Sequence, residues 1–438
     1  MFLVAPMRTN KIFALRSGVL SLLGLAALLA TAHPESSKTV VTSFTATPCS
    51  FTAGQPVTLS WSVENADSVS INQGVGTVAA TGSAVVSPTA STTWTLTAAR
   101  GKTSVATAAH AQFSRGEIDV YLLGGQSNMQ GTALSSKLTP TQLRIPGIEL
   151  YAAGSGVNAA IASKPVPLQP ANLDKSGVRT FGLEIGLGEC LRSLRPERPM
   201  AFLKYAWSGT SLEIDWKPGA DNKDTANWGP HFRGFVTTVN NGLTALEAEG
   251  WVPVIRGMCW QQGEQDAKDG LNVPESDTSA DDYGANLARF IGRVREQFST
   301  RAGPDGIRFV AGQVLPYAPP GGDVATRFPG RNLVRQAILN ADENSGALLS
   351  VSNMNAVPTN AVNHPSHAQE IDGYRDNEEV HQNAIGLLDI GRAMARALLK
   401  IPPQSSIDRS TDHGTGSTVE DLFRAERKLA AGPPHPLR

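Results

Sequence analysis

The sequence predicts a parallel α/β domain preceded by a small all-β module. From Ile118 to about Ile401, apolar runs of strand length alternate with amphipathic helical stretches, the pattern of strands joined by helical crossovers. The first of these runs, Ile118 to Leu123, closes on Gly124 and Gly125, as a strand buried on both faces of a parallel sheet would. Ahead of it, residues 38 to 113 are rich in Thr, Ser, Val and Ala in apolar-polar alternation, with turn signals every several residues, which predicts short strands of a β-sandwich.

At the N-terminus, Arg8, Lys11 and Arg16 flank the apolar run Gly18 to Ala30, and Ala30-Thr31-Ala32 offers small residues for cleavage. Residues 1–32 therefore read as an export signal, with the apolar run short of the ~20 residues a membrane span needs. The expectation is a secreted or periplasmic protein with no membrane span after cleavage. Within residues 38–113, Val57 to Val63, Ser68 to Ile71 and Thr93 to Thr97 alternate cleanly, and Trp61 and Trp94, inside these alternating runs, read as core plugs, with a sugar-binding platform the alternative.

A polar joint at 114–117 leads into the main domain, 117–401. Its predicted strands are Ile118–Leu123, Met200–Tyr205, Val252–Trp260, Ile307–Leu315 and Leu348–Val351. The predicted helices are Gly182–Leu194, Phe232–Glu249, Ala280–Phe298, Asn332–Asn344 and Ala384–Leu399. In the last, Ile385, Leu388, Ala395 and Leu399 fall near one face. Residues 402–438 are polar, carry proline and lack a periodic core, so they read as a tail.

The 438 residues suit two or three domains, and 41% hydrophobic with 18% charged residues allows a packed core. Lys and Arg number 38 against 39 acids, so no basic surface predicts nucleic acid as a partner. Cys49, Cys190 and Cys259 are too few for a disulfide scaffold; Cys190 and Cys259 read as buried thiols, with a bridge between them the alternative. No Cys/His spacing matches a metal site, and His364 and His367, separated by Pro365, read as a solvated loop. No metal or cofactor is expected. Oligomeric state has no signature in the chain.

The chemistry starts at Ser127, delivered into a tight turn just past the first apolar run. Ligands of such sheets bind beyond the carboxyl ends of the strands, so Ser127 is a candidate nucleophile if a base reaches it. His381, just before the final helix, is the best candidate base. Glu378, three residues earlier, has the spacing to accept from its imidazole and fix the tautomer. Two further segments follow strands directly: Trp207 to Ser211, and Trp260 to Asp266. The Gly209 N–H and the Gln262 amide are suitable oxyanion donors, each typically worth about 3 kcal/mol of barrier. Glu264 and Asp266 could form an acid–base pair, but the preferred reading is that they brace their loop through backbone donors. Arg331 and Arg335, opening a helix, read as a solvated face.

These segments, GQSNMQG (125–131), WSGTSL (207–212), WQQGEQDA (260–267) and EEVHQNAIG (378–386), resemble in order the blocks of the SGNH hydrolases. They are most similar to the sialate O-acetylesterase and acetyl xylan esterase group, carbohydrate esterase family 6. Residues 38–113 resemble bacterial Ig-like modules attached to secreted enzymes. The resemblance implies a flavodoxin-like α/β/α sandwich and a metal-free serine esterase that removes acetyl groups from carbohydrate. It implies Ser127 as nucleophile, His381 as base and Glu378 as its orienter, with the amides of Ser127 and Gly209 and the Gln262 side chain as the oxyanion hole. The chain departs from the family at Ser208, where a second glycine is usual, and at Glu378, where Asp is usual; Glu379 and Asp376 are the substitutes for Glu378. The alternative function is a non-catalytic sugar-binding or adhesion protein on an inactive esterase scaffold. A lipase of the α/β-hydrolase type is excluded because no G-x-S-x-G occurs. The identity of the acetylated glycan is not written in the loops Ala133–Val178 and Trp216–Trp228, where Trp216 and Trp228, with Trp207, are either sugar platforms or packing residues.

Overall fold

The computed structural model describes residues 38–268, 279–314, 326–358, 374–375 and 378–401. The expected signal segment, the tail from 402, His364, His367, Asp376 and the side chains of Glu378 and Glu379 lie outside the described residues.

The main domain is built on a seven-stranded sheet. Its strands are β1 (Gly116–Gly125), β2 (Ile145–Gly154), β3 (Val166–Leu168), β4 (Met200–Ala206), β5 (Trp251–Gln261), β6 (Arg308–Gly312) and β7 (Met354–Val357), in the order β3-β2-β4-β1-β5-β6-β7. Every pairing is parallel except β2 with β3 at one edge. Among the described residues, five helices of 11 to 19 residues accompany it: α1 (Glu184–Leu194), α2 (Pro230–Ala248), α3 (Ser279–Gln297), α4 (Arg331–Ala341) and α5 (Ala384–Leu398). An antiparallel two-stranded ribbon pairs Tyr374–Arg375 with β8 (Glu378–Gln382).

The layering follows from alternation along β1. Ile118, Val120 and Leu122 join one core, with Phe232, Phe235 and Val239 of α2, Leu287 and Phe290 of α3 and Val334 and Ile338 of α4. Tyr121 and Leu123 join the opposite core, with Leu187 and Leu191 of α1 and Leu387 and Met394 of α5. A strand buried on both sides is apolar at nearly every position, which is why Ile118 to Leu123 could be read as one. The result is a three-layer α/β/α sandwich of the expected class.

Two expectations fail toward the ends of the sheet. Leu348–Val351 is not a strand: Leu348 is 100% exposed, and the edge strand is Met354–Val357, paired with Phe309–Gly312. Strands β2 and β3 lie inside Ala133–Val178, which reads as loop because Pro146 and Gly147 look like a turn and polar residues interrupt the apolar ones. The N-terminal strands form a three-stranded and a five-stranded sheet. Leu59, Trp61, Val63, Val69, Ile71, Trp94, Leu96 and Ala98 are all buried, so both tryptophans are core. The chain divides into two compact units, the smaller containing Leu59–Ala84 and Trp94–Ala109, the larger containing Ala46–Thr58, Val85–Thr93 and His110 onward. Cys190 and Cys259 are buried, Cys49 is exposed, and none is disulfide-bonded.

Candidate active site

Register brings the first three motif segments together. Gly125 at the end of β1 lies opposite Ala206 of β4 on one side and Gln261 of β5 on the other. The chain leaves all three strands at one level, at the carboxyl edge where ligands of parallel sheets bind. Two backbone bonds tie the exits: Gln126 N–H donates to Gln261 O and Trp207 N–H to Gly125 O, both at 3.0 Å. Gly125 has φ +147°, and a Cβ there would stand 2.1 Å from the Gln261 carbonyl oxygen. Only glycine permits this close crossing.

Beyond it, Ser127 opens a single helical turn, Ser127–Gln130. As the first residue of that turn, its N–H has no intrahelical acceptor. Ser127 itself is 3% exposed. Beneath the turn, Lys204 donates to the Gln130 carbonyl (2.9 Å) and to Glu184 Oε2 (2.8 Å), and Glu184 Oε1 accepts from Gly182 N–H (3.0 Å). Both members of this ion pair are fully buried.

The second segment is held rigidly with one donor left outward. Gln262 Nε2 donates to Thr210 O at 2.8 Å, Asp266 accepts from Leu212 N–H at 3.0 and 3.1 Å, and Asp215 accepts from Ser211 N–H at 2.8 Å. Gly209 between them is exposed, with φ +70° and open space around it. Its N–H donates to no atom among the described residues.

Gln262 differs from the expected oxyanion donor. It is 0% exposed, and its two N–H groups meet Thr210 O and Asp266 Oδ2 (2.5 Å), with Gln126 Oε1 at 3.3 Å. In this arrangement the amide is spent on the protein. Tyr283 of α3 donates to the Gln262 carbonyl (2.7 Å) and fixes the segment from below.

Glu264 and Asp266 are fully buried. Burial is the largest influence on both and pushes each carboxyl up to about 7, against their hydrogen bonds, which pull it down. Glu264 Oε1 accepts from Asn128 Nδ2 at 2.7 Å, and Asp266 bonds the Leu212 backbone.

His381 sits on β8, not on a loop, and is half-buried. The residues on either side of it are fastened to Asn128, the neighbour of Ser127: Asn128 Nδ2 donates to Val380 O (3.0 Å) and Gln382 N–H donates to Asn128 Oδ1 (3.0 Å). The fourth segment therefore meets the first. Asn128 and Gln126 stand inside the quoted motif, yet sequence gives no reason to single them out. Gln126 Oε1 lies 3.3 Å from the N–H groups of Gly263 and Gln265.

The tryptophans separate by burial. Trp216 is 0% exposed and is core, whereas Trp207 is 42% exposed. The Trp207 ring stacks on His231 at 4.9 Å, and His231 Nδ1 is 3.1 Å from the Tyr205 hydroxyl. Burial lowers the His231 pKa against the pull of Asp215, favouring the neutral ring. His231 has no motif and escapes sequence reading. Arg331 and Arg335 do not face solvent as expected: Arg331 is buried, and Arg335 donates to Val314 O (3.2 Å) and Gln313 Oε1 (3.1 Å).

Among the described residues no His, Cys, Asp and Glu cluster could hold a metal ion, and no described helix is long and apolar enough to cross a membrane.

No curated protein matches the chain. Among solved structures it is similar to a protein from Arabidopsis thaliana at 17% identity and TM-score 0.44, covering 65% of this chain and 98% of that one. It is also similar to NanS at 14% identity and TM-score 0.44, covering 66% of this chain and 98% of that one. A third is a carbohydrate acetylesterase from Xanthomonas citri, at 19% identity and TM-score 0.40, covering 80% of this chain and 72% of that one. The family model described as "Carbohydrate esterase, sialic acid-specific acetylesterase" matches residues 117–400, the whole stretch that carries the four segments. The chain belongs to that family and is a carbohydrate O-acetylesterase.

Proposed function

We propose that Ser127 and His381 carry the deacetylation and that the chain acts on O-acetylated glycan outside the cytoplasm. Ser127 Oγ attacks the acetyl carbonyl while His381 takes the hydroxyl proton. The carbonyl oxygen becomes an oxyanion facing the N–H groups of Ser127 and Gly209. As the C–O bond to the sugar breaks, His381 returns the proton to the departing sugar oxygen, leaving acetyl-Ser127. Water, deprotonated by His381, then attacks the acyl group, and acetate leaves as Ser127 regains its proton. Glu378, three residues before the base, is proposed to orient it, with Glu379 and Asp376 as the other acids within reach in sequence.

Gln262 enters this reading as a brace. By holding the Thr210 carbonyl it fixes the turn that presents Gly209, and Glu264 and Asp266 brace the same rim through Asn128 and Leu212. The preorganised N–H groups cost no reorganisation when charge develops. Export rests on the N-terminal segment, residues 1–32, and the proposed domain limits are 38–113 for an Ig-like module and 117–401 for the esterase.

The observation that supports this reading most is the fastening of both neighbours of His381 to Asn128, directly beside Ser127. Ser127→Ala is expected to lower acetate release from an O-acetylated sugar by at least about 10³-fold and to abolish labelling by a fluorophosphonate. A variant hydrolysing at the wild-type rate would remove Ser127 from the mechanism.

A further inference from the structure

We infer that Asn128 is a positioning residue that sets the base against the nucleophile by gripping the backbone of β8 on both sides of His381. The inference rests on the Ser127–His381 reading above. The Asn128 amide is 1% exposed and makes three hydrogen bonds. Two go to the base-bearing strand, Nδ2 to Val380 O and Oδ1 from Gln382 N–H, each 3.0 Å. The third runs from Nδ2 to Glu264 Oε1 at 2.7 Å. An amide offers two donor hydrogens and acceptor capacity at its oxygen, so both hydrogens are used and no other side chain of similar size supplies the set. Leu, which matches the shape, has none of it, and Asp lacks the donors.

The grip is two-point. A single bond to β8 would leave the strand free to pivot, whereas bonds to the carbonyl of 380 and the amide of 382 fix the direction of the intervening residue. In an extended strand, residue 381 faces opposite to its two neighbours. Val380 and Gln382 point into the protein, at 7% and 3% exposure, while His381 is half-buried. Because Asn128 follows Ser127 in the same helical turn, nucleophile and base are referred to one rigid element. Glu264 ties the same amide nitrogen to the segment after β5, so the exits of β1 and β5 and the strand β8 share one side chain.

Among the described residues, Glu264 is bonded to the amide, Asp266 follows it by two positions in the segment after β5, and His381 lies between the two contacts on β8. Asn128→Asp would retain the acceptor for Gln382 N–H. It would turn both donors into lone pairs facing Val380 O and Glu264, and below its own pKa the introduced carboxyl would regain one O–H donor.

The test measures kcat and KM for acetate release by the full chain and its variants, using 4-nitrophenyl acetate and an acetylated sugar, over the pH range in which the wild type is active. Asn128→Ala is expected to lower kcat about 10²-fold, the cost of a misplaced catalytic group, with KM changed by less than about threefold. For Asn128→Asp, the ratio of its kcat to that of wild type is expected to rise as pH falls. In Asn128→Asp with Glu264→Gln, the new amide donates to the introduced carboxylate, and part of the lost kcat returns.

Wild-type kcat in Asn128→Ala, with Ser127→Ala inactive, would overturn the inference and leave the nucleophile assignment intact. Wild-type kcat in Ser127→Ala would overturn the reading beneath it. If Asn128→Ala does not fold, the aspartate pair decides: a ratio flat with pH and no recovery in the double variant mean that Asn128 only packs.

Discussion

Trp207 and Gly209 lie two residues apart, one exposing an aromatic ring and the other a backbone donor at the same rim. The ring is backed by His231, so it is presented to solvent without having to be ordered on binding. An ordered aromatic face loses little entropy against a sugar ring, and the gain is taken on the scale of an aromatic pair, roughly 0.5–1.5 kcal/mol beyond area burial. Trp207→Ala is therefore expected to raise KM for acetylated oligosaccharides by roughly three- to tenfold with kcat little changed. A fall in kcat at constant KM would instead assign the ring to packing the Gly209 turn. The same scale explains why Gln262 is a brace: its amide nitrogen already meets a carbonyl and a carboxyl inside the protein, and removing it takes that donor from Thr210 O and leaves Asp266 with its backbone donors alone. Gln262→Ala is expected to destabilise the fold by about 1–3 kcal/mol, measured by urea unfolding, besides slowing catalysis.

Between elements, the buried Lys204–Glu184 pair joins β4, α1 and the Ser127 turn. A lysine in the middle of an otherwise apolar strand is costly to bury unless fully paired. Here it has a carboxylate and a carbonyl, and the carboxylate has a backbone donor as well. Lys204→Met would leave Glu184 buried without its partner, at an expected cost of about 3–5 kcal/mol. Lys204→Met combined with Glu184→Gln should recover most of that loss in thermal or urea unfolding. A single variant as stable as wild type would show that the pair contributes no net stability. The helices on the other face work by bulk: Trp260 packs on Trp216 and on Phe290, with ring centroids at 4.9 and 4.4 Å. This wall fixes the end of β5, from which the third segment emerges.

For the whole molecule, the two buried carboxyls make stability depend on pH in an unusual direction. Glu264 and Asp266 have folded-state values pushed up to about 7 from 4.5 and 3.8. A raised acid holds its proton more tightly when folded, so between the unfolded and folded values the native state binds more protons. The contribution is present below the unfolded values and is lost as pH rises from about 4 to about 7. Glu264→Gln, which keeps an acceptor for Asn128 but cannot ionise, is expected to flatten the fall in unfolding free energy across that window. An unchanged slope would show that Glu264 is not the titrating group.

The central strands and the five longer helices could be read from the chain because each has a period that burial enforces: β1 is apolar on both faces, and α5 buries Leu388 and Ala395 as expected, together with Leu387, Met394 and Leu398, whereas Ile385, expected on that face, is 63% exposed. Strands β2 and β7 could not: β2 is interrupted by Pro146 and Gly147, where its register shifts, and β7 is a four-residue strand at the sheet's edge; Leu348 and Leu349 looked like a strand and are exposed. The motif segments were legible as chemistry-bearing types after strands, and the family match covers them all. What sequence alone determined was the order of these segments and their attachment to a parallel sheet. Only the tertiary structure decided which atoms are spent and which remain. Gln262 and Asn128 are both amides in these motifs, and apart from Asp266, four residues from Gln262, their partners lie 21 to 254 residues away. No local rule counts hydrogen bonds across that distance, because they exist only once the strand exits have been brought to one level.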